Sequence, residues 1–273
     1  MRSLMPETTL TMIKKQMPDV QGSGDQRNIF INQVGVKDVH YPITLKQADG
    51  GTQHTVARIN LYVSLPRERK GTHMSRFLEI LNTHHRQMTP EQIIPILHEM
   101  KTKLNAETAH IELEFPYFIE KAAPVTGARG LMDYVAMFEG TSNGTDDFIL
   151  GVKVPATSLC PCSKEISQYG AHNQRCELTA RVRFKGNLWI EELVRIMEAA
   201  ASAPVYAVLK RPDEKFVTEQ AYDNPKFVED IIRDLALGFE KEDRITWYSI
   251  ESENFESIHN HNAYAMIERD KSE

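Results

Sequence analysis

The chain has 273 residues, of which 41% are hydrophobic and 26% charged, enough apolar side chain to bury a core in one large domain or two of about 130 residues each. Its formal net charge of −6 argues against nucleic acid and anionic membrane as partners, because both need a dense basic field. No apolar run approaches the roughly 20 residues of a membrane helix, and the first thirty positions lack a secretory stretch, so a cytoplasmic protein is expected.

Residues 1–28 mix Met, Thr, Lys, Pro, Gly and Asp without sustained periodicity and read as a flexible tail. Ala57, Ile59, Leu61, Val63 and Leu65 then alternate with Arg58, Asn60 and Ser64, the pattern of a half-buried strand. Arg67 to Arg76 gathers cations where that strand gives way to a helix. A second helix is signalled by Thr89 as N-cap, Pro90 in the first turn and Gln92 closing a capping box, with Ile93, Ile96, Leu97, Met100 and Leu104 on one face and Pro95 as a candidate kink. Ile111, Leu113, Phe115 and Tyr117 alternate again.

The second half repeats the order. Strands are expected near 148–155 and 177–184, then a helix with Ile190, Leu193, Val194 and Met197 on one face. A further helix is expected from a cap at Asn224 and Pro225, with Phe227, Ile231, Leu235 and Phe239 in register, before strands near 244–251 and 262–268. Both halves read β-β-α-α-β-β, which implies an internal duplication with modules at 29–142 and 143–273. The expected class is α+β, each module an antiparallel four-stranded sheet with helices on one face.

Three cysteines make a poor disulfide framework, and Cys160 and Cys162 fall in the densest chemical segment, Ser158 to Arg175, together with His172. Thiolate sulfur and imidazole nitrogen are preferred ligands of zinc and similar divalent ions. Between the last two strands, His259 and His261 point to one side of an extended segment, so one can ligate while the other moves a proton. The alternative is a buried thiol pair with surface histidines. Lys70, His73 and Arg76, beside a helix N-terminus, read as a phosphate clamp or as a solvated basic turn. Glu214 is a turn acid or a carboxylate aimed at metal, and Glu229 is helix surface unless it meets a ligand. Cys176 begins a strand and reads as core.

Taken together, Lys70-Gly-Thr-His-Met-Ser-Arg-Phe77, Thr157-Ser-Leu-Cys-Pro-Cys-Ser-Lys-Glu-Ile-Ser167, Tyr169-Gly-Ala-His-Asn-Gln-Arg175, Leu209-Lys-Arg-Pro-Asp-Glu-Lys215, Asn224-Pro-Lys-Phe-Val-Glu229 and Glu251-Ser-Glu-Asn-Phe-Glu-Ser-Ile-His-Asn-His261 closely resemble the type B GTP cyclohydrolase I family, over about residues 29–268. The resemblance implies two tunnelling-fold modules per chain and a homotetramer with sites between subunits. It also implies GTP and water going to formate and 7,8-dihydroneopterin triphosphate, the entry to tetrahydrofolate. By motif position it implies one divalent ion per site (Zn, Mn or Fe) on Cys160, His172, Glu214 and His259. Cys162 and His261 would be the catalytic neighbours and Glu229 the carboxylate that grips guanine. Lys70, His73, Arg76 and Arg175 would hold the phosphates. Two other readings compete: a tunnelling-fold nitrile reductase, whose Glu-Ser-Lys-Ser signature is missing, and a binding module with Cys160, Cys162, His259 and His261 closed around structural zinc.

Overall fold

The computed structural model describes residues 18–271. Most of the expected tail therefore lies outside the described residues. Its described part pairs with the basic segment: the Asp25 N–H donates to the Glu68 carbonyl and the Lys70 N–H to the Ser23 carbonyl, both at 3.0 Å.

Among the described residues nine strands and six helices follow. The first module runs β1 (Ile31–Lys46), β2 (Thr52–Leu65), α1 (Met74–His84), α2 (Pro90–Leu104), β3 (Ala109–Ala122) and β4 (Arg129–Ser142). The second runs β5 (Asp146–Leu159), α3 (Pro161–Ile166), β6 (Asn173–Phe184), α4 (Ile190–Ala200), β7 (Ala203–Pro204), α5 (Arg211–Asp223), α6 (Val228–Glu240), β8 (Ile245–Asn254) and β9 (Ala263–Asp270). All strand pairs are antiparallel, and one sheet runs continuously in the order β1-β2-β3-β4-β5-β6-β8-β9, with the two-residue β7 on β5. The β-β-α-α-β-β order read from alternation and helical spacing is thus present twice, with α3, β7 and α5 added in the second copy.

Alternation decides which face is covered. Leu178, Ala180 and Val182 of β6 are buried beneath helices, whereas Arg181 and Arg183 stand on the opposite, helix-free face. There Arg181 reaches Glu139 and Glu251, and Arg183 grips Asp147 at 2.7 Å. The apolar stripes of α2, α4 and α6 close one core shared by both modules. Gly140 of β4 allows α2 to sit close, since a Cβ there would fall 2.4 Å from Ile93 Cγ2.

Helix starts differ in detail from the expectations. Thr89 is the N-cap of α2, but its side chain makes no cap bond, so the expected box with Gln92 does not form; the Gln92 N–H turns back to the Thr89 carbonyl instead. Pro95 is exposed and α2 runs through it unbroken. Asn224 and Pro225 do not start α6. Asn224 ends the additional helix α5, its side-chain amide donating to the carbonyls of Ala201 and Ser202 at 3.1 Å each, and Phe227 caps α6 three residues later. Among the described residues no helix is long and apolar enough to cross a membrane.

Candidate functional site

The second module opens a cavity of about 450 Å3 where β5 ends and β6 begins, within the usual range of small-molecule sites. Cys160, Cys162, His172, Glu229, His259 and His261 all line it. Four separate stretches of chain supply them, so their meeting is a property of the fold.

Local hydrogen bonding fixes Cys160 and His172. β5 ends at Leu159, and Pro161 starts α3 with its ring at a position that needs no N–H, leaving Cys160 as N-cap. Its sulfur accepts the Ser163 N–H at 3.4 Å. The Cys160 N–H donates to the His172 carbonyl at 3.1 Å, the Ser163 hydroxyl donates to the Cys160 carbonyl at 3.2 Å, and the His172 N–H donates to Ser163 Oγ at 3.2 Å. Ser163 thus binds thiol and imidazole into one unit. His172 Nδ1 donates to Gln174 Oε1 at 2.9 Å, which leaves Nε2 with its lone pair, and Gln174 is held in turn by Ser158 Oγ at 2.8 Å.

Glu229 is the second residue of α6, exposed in the first turn of that helix. His259 and His261 stand in the loop between β8 and β9 with rings stacked 5.1 Å apart, on one side as their spacing predicts. Both are exposed. Asn254, 2% exposed, also lines the cavity, and its Oδ1 is buried without a partner.

The remaining expected residues lie elsewhere. Glu214 is exposed on α5 and does not line the cavity; its neighbour Asp213 is fully buried and accepts from the N–H groups of Val125, Thr126 and Lys210, all at 2.9 Å. Arg175 alternates with Gln174 and so projects to the helix-free face. Lys70, His73 and Arg76 follow β2, whose Leu65 end shares its edge of the sheet with Ser142 and Asp146. Cys160 follows the far end of β5, so about 45 Å of strand length and three strand spacings, about 14 Å, intervene. There Arg76 donates to the Lys103 carbonyl at 2.9 Å and His73 pairs with Asp19 at 3.3 Å. Cys176 is core, and burial pushes its thiol up to about 12.

Sequence reasoning passed over Ser163 and Gln174. Signals for both were present: Pro161 marks a helix start that makes Ser163 its third residue, and Gln174 shares a face with His172 at a spacing of two.

For a divalent ion the donor chemistry fits in part. Cys160 offers a sulfur, His172 a nitrogen whose ring is oriented by a second partner as metal-binding imidazoles are, and His259 lines the same space. Among the described residues no three His, Cys, Asp or Glu side chains of the single chain stand close enough to hold an ion.

Residues 17–265 match the family model of type I GTP cyclohydrolase folE2. The GTP cyclohydrolase FolE2 of Geobacter sulfurreducens is 60% identical over 255 residues, covering 93% of this chain and 99% of that protein. Those of Geotalea uraniireducens and Azoarcus sp. are 58% and 57% identical over 257 residues, covering 94% and 93% of this chain and 95% and 96% of theirs. Among solved structures, a uricase from Bacillus fastidious superposes with a TM-score of 0.52 over 91% of this chain and 94% of its own, at 8% identity. That likeness concerns the tunnelling fold alone.

Proposed function

The chain belongs to the type I GTP cyclohydrolase FolE2 family and is an enzyme of that activity, and from this premise we propose that the cavity of the second module is where GTP is opened. The observation that carries the assignment is the convergence of Cys160 and His172, locked by Ser163, on the space that Glu229 also lines.

The Glu229 carboxylate accepts from guanine N1–H and the 2-amino group, a paired contact worth about 1–3 kcal/mol of discrimination against a base without those donors. Asn254 Oδ1, buried and partnerless, offers a further acceptor beside the base. Cys160, His172 and His259 would hold one divalent ion, zinc, manganese or iron. When bound, such an ion acidifies water toward neutrality. C8 of guanine lies between two ring nitrogens, so addition of water there opens the imidazole to a formamide whose hydrolysis releases formate. Two waters enter and one leaves on closure of the pterin, giving 7,8-dihydroneopterin triphosphate. His261 and Cys162 serve proton transfer at the opening bond. The product feeds tetrahydrofolate synthesis in the cytoplasm.

We infer a homotetramer whose sites are shared between chains. β1 and β9 are free edges of an open sheet, Tyr264 and Met266 of β9 are 59% and 50% exposed, and Ile258 beside the cavity is 65% exposed. Lys70, His73 and Arg76 are too distant to serve the cavity of their own chain, so a second copy must bring them to the triphosphate; Arg175 is the remaining candidate.

The test is anaerobic incubation of metal-reconstituted protein with GTP, assaying formate and oxidised fluorescent pterin without added NADPH. Equal yields of both are expected, and Glu229→Gln should lower kcat/KM about 10- to 100-fold. Formate without pterin, or neither, would refute the assignment.

A further inference from the structure

A second cavity, at the seam between the modules, has no part in that reaction. It encloses about 210 Å3. Leu45, Met88, Phe138, Leu150 and Leu188, each 3% exposed or less, form its apolar walls, and Glu91 and Glu191 supply carboxylates. Glu191 Oε1 accepts the Tyr117 hydroxyl at 2.8 Å and the Ala48 N–H at 3.2 Å. Burial, and after it Glu191, push the Tyr117 phenol far up, so it remains a donor. Glu191 Oε2 is buried with no partner at all. A carboxylate oxygen desolvated without a donor is costly unless something supplies one.

The duplication indicates what that is. The Met88 N–H donates to the Thr44 carbonyl near the end of β1, and the Lys226 N–H donates to the Leu159 carbonyl at the end of β5, both at 3.0 Å. Three residues further on, Glu91 and Glu229 each occupy the second position of the next helix, and each lines the cavity of its own module. The strand that leads into Cys160 in the second module ends in Leu45 and Lys46 in the first, and no cysteine or histidine lines the first cavity. The first cavity keeps the acidic recognition edge and lacks the reacting groups.

We propose that the seam cavity binds, without converting it, a planar heterocycle with a 2-amino-4-oxo edge, the edge that guanine and pterins share. Its ring N–H and amino group donate to Glu191 Oε2 and Glu91, and its faces lie against Phe138 and Leu150. The space is smaller than the roughly 300–1,000 Å3 of nucleotide-sized sites, so it takes the bare bicycle and excludes ribose and triphosphate. The inference rests on the guanine contact assigned to Glu229.

The test is equilibrium dialysis of the full-length, metal-loaded protein against unsubstituted fluorescent pterin and, in a separate arm, guanine. Two sites per chain are expected. Glu229→Gln should abolish one, while Glu191→Gln should weaken the other about tenfold and leave GTP turnover unchanged. The exposed Glu91→Gln, which cannot disturb the core, should weaken it too. Tighter binding of pterin than of guanine would mark a site for the bare pterin, and the reverse one for the free purine base. A single site per chain, or a second site indifferent to both seam variants, overturns the proposal. Two sites that both survive Glu229→Gln, one of them sensitive to Glu191→Gln, would instead overturn the role of Glu229 and leave the seam site standing.

Discussion

The backbone N–H of Cys160 donates to the carbonyl of His172 across 3.1 Å, fastening the two ends of the loop that carries both thiols. Ser163 stands between them, its hydroxyl bonded to the Cys160 carbonyl and to the His172 N–H at 3.2 Å each. Ser163→Ala removes both bonds while leaving α3 its N-cap. Each bond contributes about 1 kcal/mol, so melting temperature should drop by only a few degrees. The loop ends loosen, and kcat should fall about tenfold or more. Unchanged kcat with a large loss of stability would make Ser163 a folding residue only.

Gln174 accepts the Nδ1 proton of His172 at 2.9 Å and so determines which nitrogen is free. Losing a partner of this kind typically costs 10- to 100-fold in metal affinity or activity. Gln174→Ala is therefore expected to weaken zinc or manganese binding, measured by calorimetry on the apoprotein, by about that factor. Gln174→Glu keeps an acceptor in place and should restore much of it. Equal affinity in wild type and Gln174→Ala would remove His172 from the ligand set.

What the sequence disclosed follows from the range of each signal. Alternation along β2 and β3 and helical spacing along α4 are local, and they marked the buried residues Leu61, Leu113 and Leu193. The motif segments carried the resemblance because chemistry confines those residues to fixed spacings, and Cys160, His172, Glu229 and His259 do share a cavity. The start of α6 was misread because Asn224-Pro225 imitates a helix cap, whereas Asn224 spends its amide on the carbonyls of Ala201 and Ser202, a contact with no local signature. In Lys210-Arg-Pro-Asp-Glu214, Asp213 serves the fold by binding Val125 and Thr126, which a sequence cannot reveal because the partners lie in the other module. The distance of Lys70 and Arg76 from Cys160 depends on strand order, which local patterns do not encode.

Cys176 provides a pH test of the core. Burial raises its thiol from 9.0 to about 12. Between those values the unfolded chain releases a proton that the folded chain keeps. Stability from this group is full below pH 9 and falls as pH rises toward 12, by roughly 2–4 kcal/mol. Cys176→Ala should be less stable than wild type at pH 8, and the gap should narrow at pH 10.5, read as denaturant midpoints. A gap independent of pH would show that the thiol titrates normally in the folded protein.

The last prediction concerns which chain serves which site. Lys70 and Arg76 lie at the opposite end of the strands from Cys160 and three strand spacings away, a separation that side-chain motion of a few ångströms does not bridge. A triphosphate extends far less than that. Lys70→Ala and Arg76→Ala should each raise the KM for GTP at least tenfold with little change in thermal stability, because both residues sit on the surface and neither supports the core. His172→Ala should be inactive. Mixing Lys70→Ala, Arg76→Ala double-variant chains with His172→Ala chains, followed by dissociation and reassembly, pairs an intact cavity from one with an intact clamp from the other. Random assembly would make about a quarter of the sites complete, and activity at low GTP should recover to about that fraction. If both groups acted within one chain no mixture could regain activity, and a flat result from the reassembled protein would sink the shared site.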